Sequence, residues 1–271
     1  MSIEDNLPMK RAFALATIAV VGSWVGQARA ADLDLRQEAR PGAQVMTDSL
    51  KDGAFLPLSM GTVSPSHGSA ALGWAGYASD RERAIVNARA EVALVPWLIL
   101  QVRTATDTES AGLRPSVGLR FRLLGESGTR PGIALGAFYK TEGFTEPEGE
   151  IEGVLAVSAH VGNLGFLANL VYGQDADGRE RDGEAGVAAT IGLGDRWLLA
   201  VDTRARLNLV STAAAQPGKQ ALPRFDLVAG PLAMCRLGPT FLALQTGVAM
   251  IELAELRVGA FALLGFGAAL R

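Results

Sequence analysis

The stretch AIVNARAEVALV, residues 84–95, decides the reading of this chain. Val86, Ala88, Ala90, Val92 and Leu94 fall on one side of an extended chain, and Asn87, Arg89 and Glu91 on the other. Side chains of a strand point alternately to its two faces, so this period-two pattern specifies a strand with one apolar and one polar face. A helix would scatter Asn87, Arg89 and Glu91 around its circumference.

The same texture recurs along the chain after residue 68. Residues 98–106 set Leu98, Leu100 and Val102 against Gln101 and Arg103, and residues 116–124 set Val117, Leu119, Phe121 and Leu123 against Ser116, Gly118, Arg120 and Arg122. Residues 133–140 oppose Ile133, Leu135, Ala137 and Tyr139 to Gly136 and Lys140. In 151–161, Leu155, Val157, Ala159 and Val161 oppose Glu152, Ser158 and His160. Segments 166–172 and 185–193 follow, opposing Asn169 in the first and Gly186, Thr190 and Gly192 in the second. Residues 197–207 place Leu199, Val201 and Leu207 against Asp202, Arg204 and Arg206. Residues 225–235, 241–250 and 257–270 alternate less cleanly, and Pro231 cannot donate to a strand ladder.

A soluble sandwich also alternates, but its apolar face is buried against a second sheet. Here that face is continuous, nearly free of charge and rich in Ala, Val and Leu, which lipid tolerates without close-fitting partners. The expected connections alternate in length. Short ones fall at 96–97, 162–165, 194–196 and 236–239; long polar ones at 107–115, 141–150, 173–184 and 208–223; 125–132 is intermediate. Trp97 and Trp197 fall at short turns, and Tyr77, Tyr139 and Tyr172 near the opposite strand ends. Both residue types favour membrane–water interfaces. With one further strand at 69–76, the expectation is an all-β, antiparallel, up-and-down transmembrane barrel of about twelve strands over residues 68–271. A soluble secreted sandwich is the competing fold.

Composition agrees. Of 271 residues, 49% are hydrophobic and 20% charged, and the 32 glycines suit crowded strands and turns better than helices. A net charge of −3 gives no nucleic-acid footprint, and two His and one Cys leave little for a metal site or a disulfide. No cofactor is expected. Residues 1–30 read as a signal peptide: Lys10-Arg11, an apolar run over 12–26, and Ala28-Arg29-Ala30 as the cleavage site, with Met9 the expected start. That leader implies export through the general secretory pathway, and its style suggests a Gram-negative cell. Residues 31–67 read as a periplasmic arm or a plug of the lumen, with one possible extra strand near 55–63.

The last strand, with Val258, Ala260, Ala262, Leu264, Phe266, Ala268 and Leu270 alternating, resembles the terminal signal of bacterial outer-membrane β-barrel proteins, although this chain ends on Arg271 rather than an aromatic residue. The resemblance is one of porin-like or transporter-like architecture and covers residues 69–271. It implies an outer-membrane location, with lipid, lipopolysaccharide and the barrel-assembly machinery as partners.

The inward face then carries Asn87, Arg89, Glu91, Gln101, Arg103, Arg120, Arg122, Lys140, Asp202, Arg204 and Arg206, with Glu152 and Asp226. Rings of charge set solute preference, so the leading expectation is a channel for small polar or anionic solutes. An ion-paired, closed lumen in a structural or adhesive barrel is the alternative. A lipid hydrolase is another: Ser158 and His160, with Asn163 nearby, are the only candidate catalytic pair. Outer-membrane lipid hydrolases carry His-x-Ser, however, whereas this chain has Ser-x-His with both side chains directed inward. Asp175 and Asp177, with Asp182 and Glu184, loosely match a calcium loop, but Arg179 and Arg181 interrupt it. The acids Glu142, Glu146, Glu148 and Glu150 read as a solvated loop able to bridge to lipopolysaccharide through divalent cations.

Overall fold

In a computed structural model of the chain, residues 56–59 and 69–270 are described, apart from 81, 107–112, 127–129, 142–148, 176–179, 195, 212–224 and 253–254. The proposed leader and most of the 31–67 arm lie outside these residues.

Twelve antiparallel strands form a closed barrel. In chain order they are β1 (Ser69–Ala78), β2 (Arg83–Val95), β3 (Leu98–Thr106), β4 (Leu113–Leu124), β5 (Gly132–Thr141), β6 (Gly149–Val161), β7 (Leu164–Asp175), β8 (Glu180–Leu193), β9 (Trp197–Ser211), β10 (Phe225–Leu237), β11 (Thr240–Glu252) and β12 (Leu256–Leu270). Each strand pairs with its chain neighbours, and β1 closes the ring against β12 from Ser69↔Leu270 to Ala78↔Phe261. Past the end of β1, the Ser79 amide donates to the Ala260 carbonyl at 2.8 Å, and the Ala260 amide donates to the Ser79 hydroxyl at 2.9 Å.

The alternation read from residues 84–95 holds. On β2, Arg89 and Glu91 are buried while Val92 and Leu94 are exposed. Among the described residues, thirty-three large hydrophobic side chains stand exposed, including Val117, Leu135, Leu170, Val187, Val201, Leu244 and Leu264. A soluble monomer does not carry that much apolar surface. The inside-out polarity therefore excludes the soluble sandwich and matches a barrel immersed in lipid. Tyr77, Tyr139 and Tyr172 lie exposed toward one rim, with Trp97 and Trp197 at the other. Trp97 stacks on Phe121, ring centroids 6.4 Å apart.

Several expectations need correcting. The strands are longer than the alternation suggested: β7 runs to Asp175 and β8 starts at Glu180, so the long connection expected over 173–184 shrinks to 176–179. Acid-rich, Gly-rich texture had disguised strand residues as loop. The length contrast between the two ends is also weaker, because the 79–82 and 253–255 connections are short although they lie at the long-loop end. Described residues 56–59 form bends rather than the strand considered near 55–63. Pro231 sits within β10 opposite Val201 of β9, while the β10–β11 ladder passes from Ala229↔Val248 to Leu232↔Gln245. The Gln245 side-chain amide donates there to the Asp202 and Gly230 carbonyls at 3.3 and 3.4 Å.

A feature absent from the sequence reading is an apolar inner wall. Leu72 and Trp74 of β1, Leu232 and Met234 of β10, Phe241 of β11 and Leu263 of β12 are buried together inside the barrel. Apart from Asp226 and Gln245, the buried inward residues of these strands are apolar or small, which is why β10–β12 alternated poorly. The Trp74 ring lies over Gly265 of the neighbouring β12, where any Cβ would collide with it.

Gly265→Ala is expected to destabilise the refolded barrel by roughly 1–3 kcal/mol through overpacking at the closing seam. Gly192→Ala, where a Cβ meets nothing within 4 Å, should stay within about 0.5 kcal/mol of the parent. Urea unfolding monitored by Trp fluorescence measures both.

Candidate functional site

The charged inner wall occupies β2 to β9, with Asp226 at the start of β10. Arg89, Glu91, Gln101, Arg120, Asp202 and Asp226 are buried there, as their inward parity requires. Strand alternation puts each of them on the lumen side, and antiparallel register brings the partners level.

Toward the short-turn end, Glu91 is the hub. Its Oε2 accepts the Arg120 guanidinium at 2.8 Å and the Gln101 amide at 3.2 Å. The Glu91 and Arg120 side chains are only 1% and 3% exposed, so this pair is desolvated rather than screened by water.

Toward the rim with the longer loops, the pairs become partly exposed. Arg103 pairs with Glu152, donates to the Ser116 hydroxyl at 3.3 Å and lies over the Phe138 ring at 4.3 Å. Lys140 Nζ bridges Glu150 at 2.7 Å and Glu152 at 3.3 Å. Arg204 reaches Asp226 at 3.2 Å and Glu184 at 4.0 Å, and Arg206 pairs with Asp182. These groups line a cavity of about 140 Å³, together with Asn87, Arg89, Arg114, Pro57 and Leu58.

Residues 56–59 form the inner boundary of that cavity. The Asp202 carboxylate accepts the Leu58 amide at 2.9 Å and the Ser59 hydroxyl at 2.6 Å. Asn87 Nδ2 donates to the Pro57 carbonyl at 3.0 Å, and the Arg89 guanidinium donates to the Leu56 carbonyl at 3.3 Å. Leu56 and Ser59 of this segment, with Gln101 and Gln245 of the wall, are no more than 1% exposed.

Of the lumen-lining residues expected from sequence, Asn87, Arg89, Arg103, Lys140, Arg204 and Arg206 line this cavity, Glu91, Gln101, Arg120 and Asp202 are buried, and Arg122 is not among the cavity's lining. Among the residues lining the cavity, six basic groups (Arg89, Arg103, Arg114, Lys140, Arg204 and Arg206) outnumber four acidic ones (Glu152, Asp182, Glu184 and Asp226), a smaller excess than the sequence led us to expect. Glu150, Asp182 and Glu184, placed in loops by their texture, are strand residues that meet Lys140, Arg206 and Arg204. Arg204 and Arg206 are two apart on one face of β9 and each faces a carboxylate, so repulsion between like neighbours does not demand a wide wet lumen here.

Ser158 and His160 both reach a residue the sequence did not single out. The Ser158 hydroxyl donates to Glu126 Oε2 at 3.0 Å, and His160 Nδ1 lies 2.5 Å from Glu126 Oε1. A nucleophile needs its base on the hydroxyl, whereas here one carboxylate holds both side chains. Ser158 is buried on the lumen side, away from lipid. Asn163 lies in the β6–β7 turn, where its carbonyl accepts the Gly192 amide at 3.1 Å. The calcium reading finds no support either: Asp182 is engaged by Arg206, Asp177 lies outside the described residues, and no cluster of three potential ligands occurs among those described.

No family model matches the chain, and no curated protein matches it. Solved structures do. The NanC porin aligns with a TM-score of 0.55 at 10% identity, covering 73% of this chain and 98% of its own. The KdgM porin, solved in complex with disordered oligogalacturonate, aligns with a TM-score of 0.52 at 6% identity over 74% and 99%. An outer-membrane channel from Pseudomonas putida F1 aligns with a TM-score of 0.50 at 12% identity over 77% and 98%. At such identities the likeness is one of fold, a bacterial outer-membrane type of β-barrel.

Glu91→Ala removes the carboxylate that Arg120 and Gln101 share and is expected to cost roughly 3–5 kcal/mol of stability. The double variant Glu91→Leu with Arg120→Leu should recover most of that loss. A double-mutant cycle in urea measures the coupling, and a simple sum of the two single effects would contradict it.

Proposed function

We propose that this protein is a narrow, substrate-selective channel of the bacterial outer membrane, passing small polar solutes. One observation carries the reading: a charged cavity, lined by residues from the half of the strands nearer the long-loop end, lies inside a barrel whose exterior is apolar. Paired charges there can exchange one partner for a solute group without leaving a charge bare. Twelve strands enclose a bore between small side-chain-filled barrels and the wide porins, which suits selectivity better than bulk diffusion. The neighbouring folds reported as porins or channels support the same reading.

The lining mixes Arg89, Arg103, Arg114, Arg204, Arg206 and Lys140 with Glu152, Asp182, Glu184 and Asp226. A small polar or anionic solute bearing hydroxyl groups fits this wall, and a modest preference for anions is expected. On the outside, the apolar belt meets lipid, the rim loops meet lipopolysaccharide, and β12 serves the assembly machinery. The leader over residues 1–30 directs export, and the 31–67 arm enters from the periplasm.

The test is conductance of the refolded protein in planar bilayers, with reversal potentials in a salt gradient. Discrete small steps are expected. Asp226→Asn with Glu184→Gln should shift selectivity toward anions, and Arg204→Gln with Arg206→Gln toward cations. Absence of any conductance, both in the parent and in a variant lacking the contacts of residues 56–59, would sink the channel reading.

A further inference from the structure

The interior wall holds residues 56–59 by their backbone. A carboxylate takes the donors: Asp202, on β9 and fully buried, accepts the Leu58 amide and the Ser59 hydroxyl. Cationic and amide groups give to the acceptors: Arg89 and Asn87, on β2, donate to the Leu56 and Pro57 carbonyls. Backbone polarity is thus read in both senses, with charge-assisted bonds on each side.

Position makes this a barrier. Going around the ring, β2 and β9 are separated by β1, β12, β11 and β10 on one side and by β3 to β8 on the other. A segment touching both crosses the bore. Its Leu56 side chain is 1% exposed and packs into the apolar inner cluster, with Leu58 against the same cluster. Gly186 of β8 leaves room for the crossing, since a Cβ there would lie 3.2 Å from the Ser59 hydroxyl and 3.5 Å from the Leu58 carbonyl oxygen.

The choice of groups matters as much as their placement. This barrel fills its other half with Trp74, Phe241, Leu263 and Met234. Where the segment crosses, the wall instead carries a carboxylate, an amide and a guanidinium. Water can satisfy these as well as a backbone can, so both the bound and the released state are tolerated.

The geometry points to a backbone-reading site formed by Asn87, Arg89 and Asp202 inside the lumen. Its ligand is the chain's own segment 56–59, and occupancy of the site keeps the bore shut. Displacement of the segment opens the passage, a consequence that rests on the channel reading.

The test uses the refolded full-length chain carrying Leu56→Cys in a Cys235→Ala background, labelled with a polar maleimide. The introduced thiol is expected to react roughly tenfold or more slowly than in denatured protein. Adding Asp202→Asn with Asn87→Ala, or Gly186→Leu to displace the segment sterically, should accelerate labelling by roughly tenfold while strand content by circular dichroism is retained. Single-channel open time should rise in the same variants. Labelling as fast as in denatured protein without these changes, or unaltered by both release variants, overturns the site. If labelling responds and no variant conducts, the channel reading fails and the site stands. Full conductance with the introduced thiol still protected overturns the closure and leaves the channel.

Discussion

Everything in this barrel depends on the pairing of β1 with β12. A sheet in lipid has no water to satisfy the amides and carbonyls of an edge strand, and each unsatisfied group costs several kcal/mol. Ten residue pairs close the ring from Ser69↔Leu270 to Ala78↔Phe261, and the Ser79–Ala260 bonds extend the closure beyond the end of β1. That seam is also where the interior is driest. Trp74 lies over Gly265, and Leu72 and Leu263 fill the space beside them. Close packing at the seam and open polarity elsewhere are two answers to one requirement: the ring must not part.

Closure in turn fixes the alternation. Once the ring exists, every second residue faces lipid, and a charge there is expensive. Hence Arg89, Glu91, Arg120, Asp202 and Asp226 all lie within. Packed together in a confined bore, they must find each other, and the pairs Glu91–Arg120, Arg204–Asp226 and Lys140–Glu150 follow.

The same constraint explains what the sequence could and could not reveal. The pattern of residues 84–95 exposed the fold because lipid on one side and charge on the other make the period-two signal strong. The twelve strands and the inward residues of β2, β3, β4 and β9 followed from it. Strands β10–β12 read poorly for the opposite reason: apart from Asp226, Gln245 and the strand ends, both faces are apolar or small, one toward lipid and one toward Trp74 and Phe241, so little alternation survives. Glu150, Asp182 and Glu184 were mistaken for loop because acids beside glycines look alike in a solvated turn and in a wet lumen. Glu126, which holds Ser158 and His160, lies outside any strand and carries no periodic signal. Residues 56–59 combine two Leu with Pro and Ser, and nothing local says that Asp202, 143 residues from Ser59, will bind them.

The division of the interior into a dry half and a charged half has an evolutionary side. A barrel lined with charge all round couples solute choice to stability, because each substitution in the lining disturbs the packing that keeps the cylinder round. Here the apolar half is built by β1 and β10–β12 and the charged half largely by β2 to β9. The lining of the second can drift while the first holds the shape. The charged lining of such a barrel is free to be rewritten without rebuilding the frame.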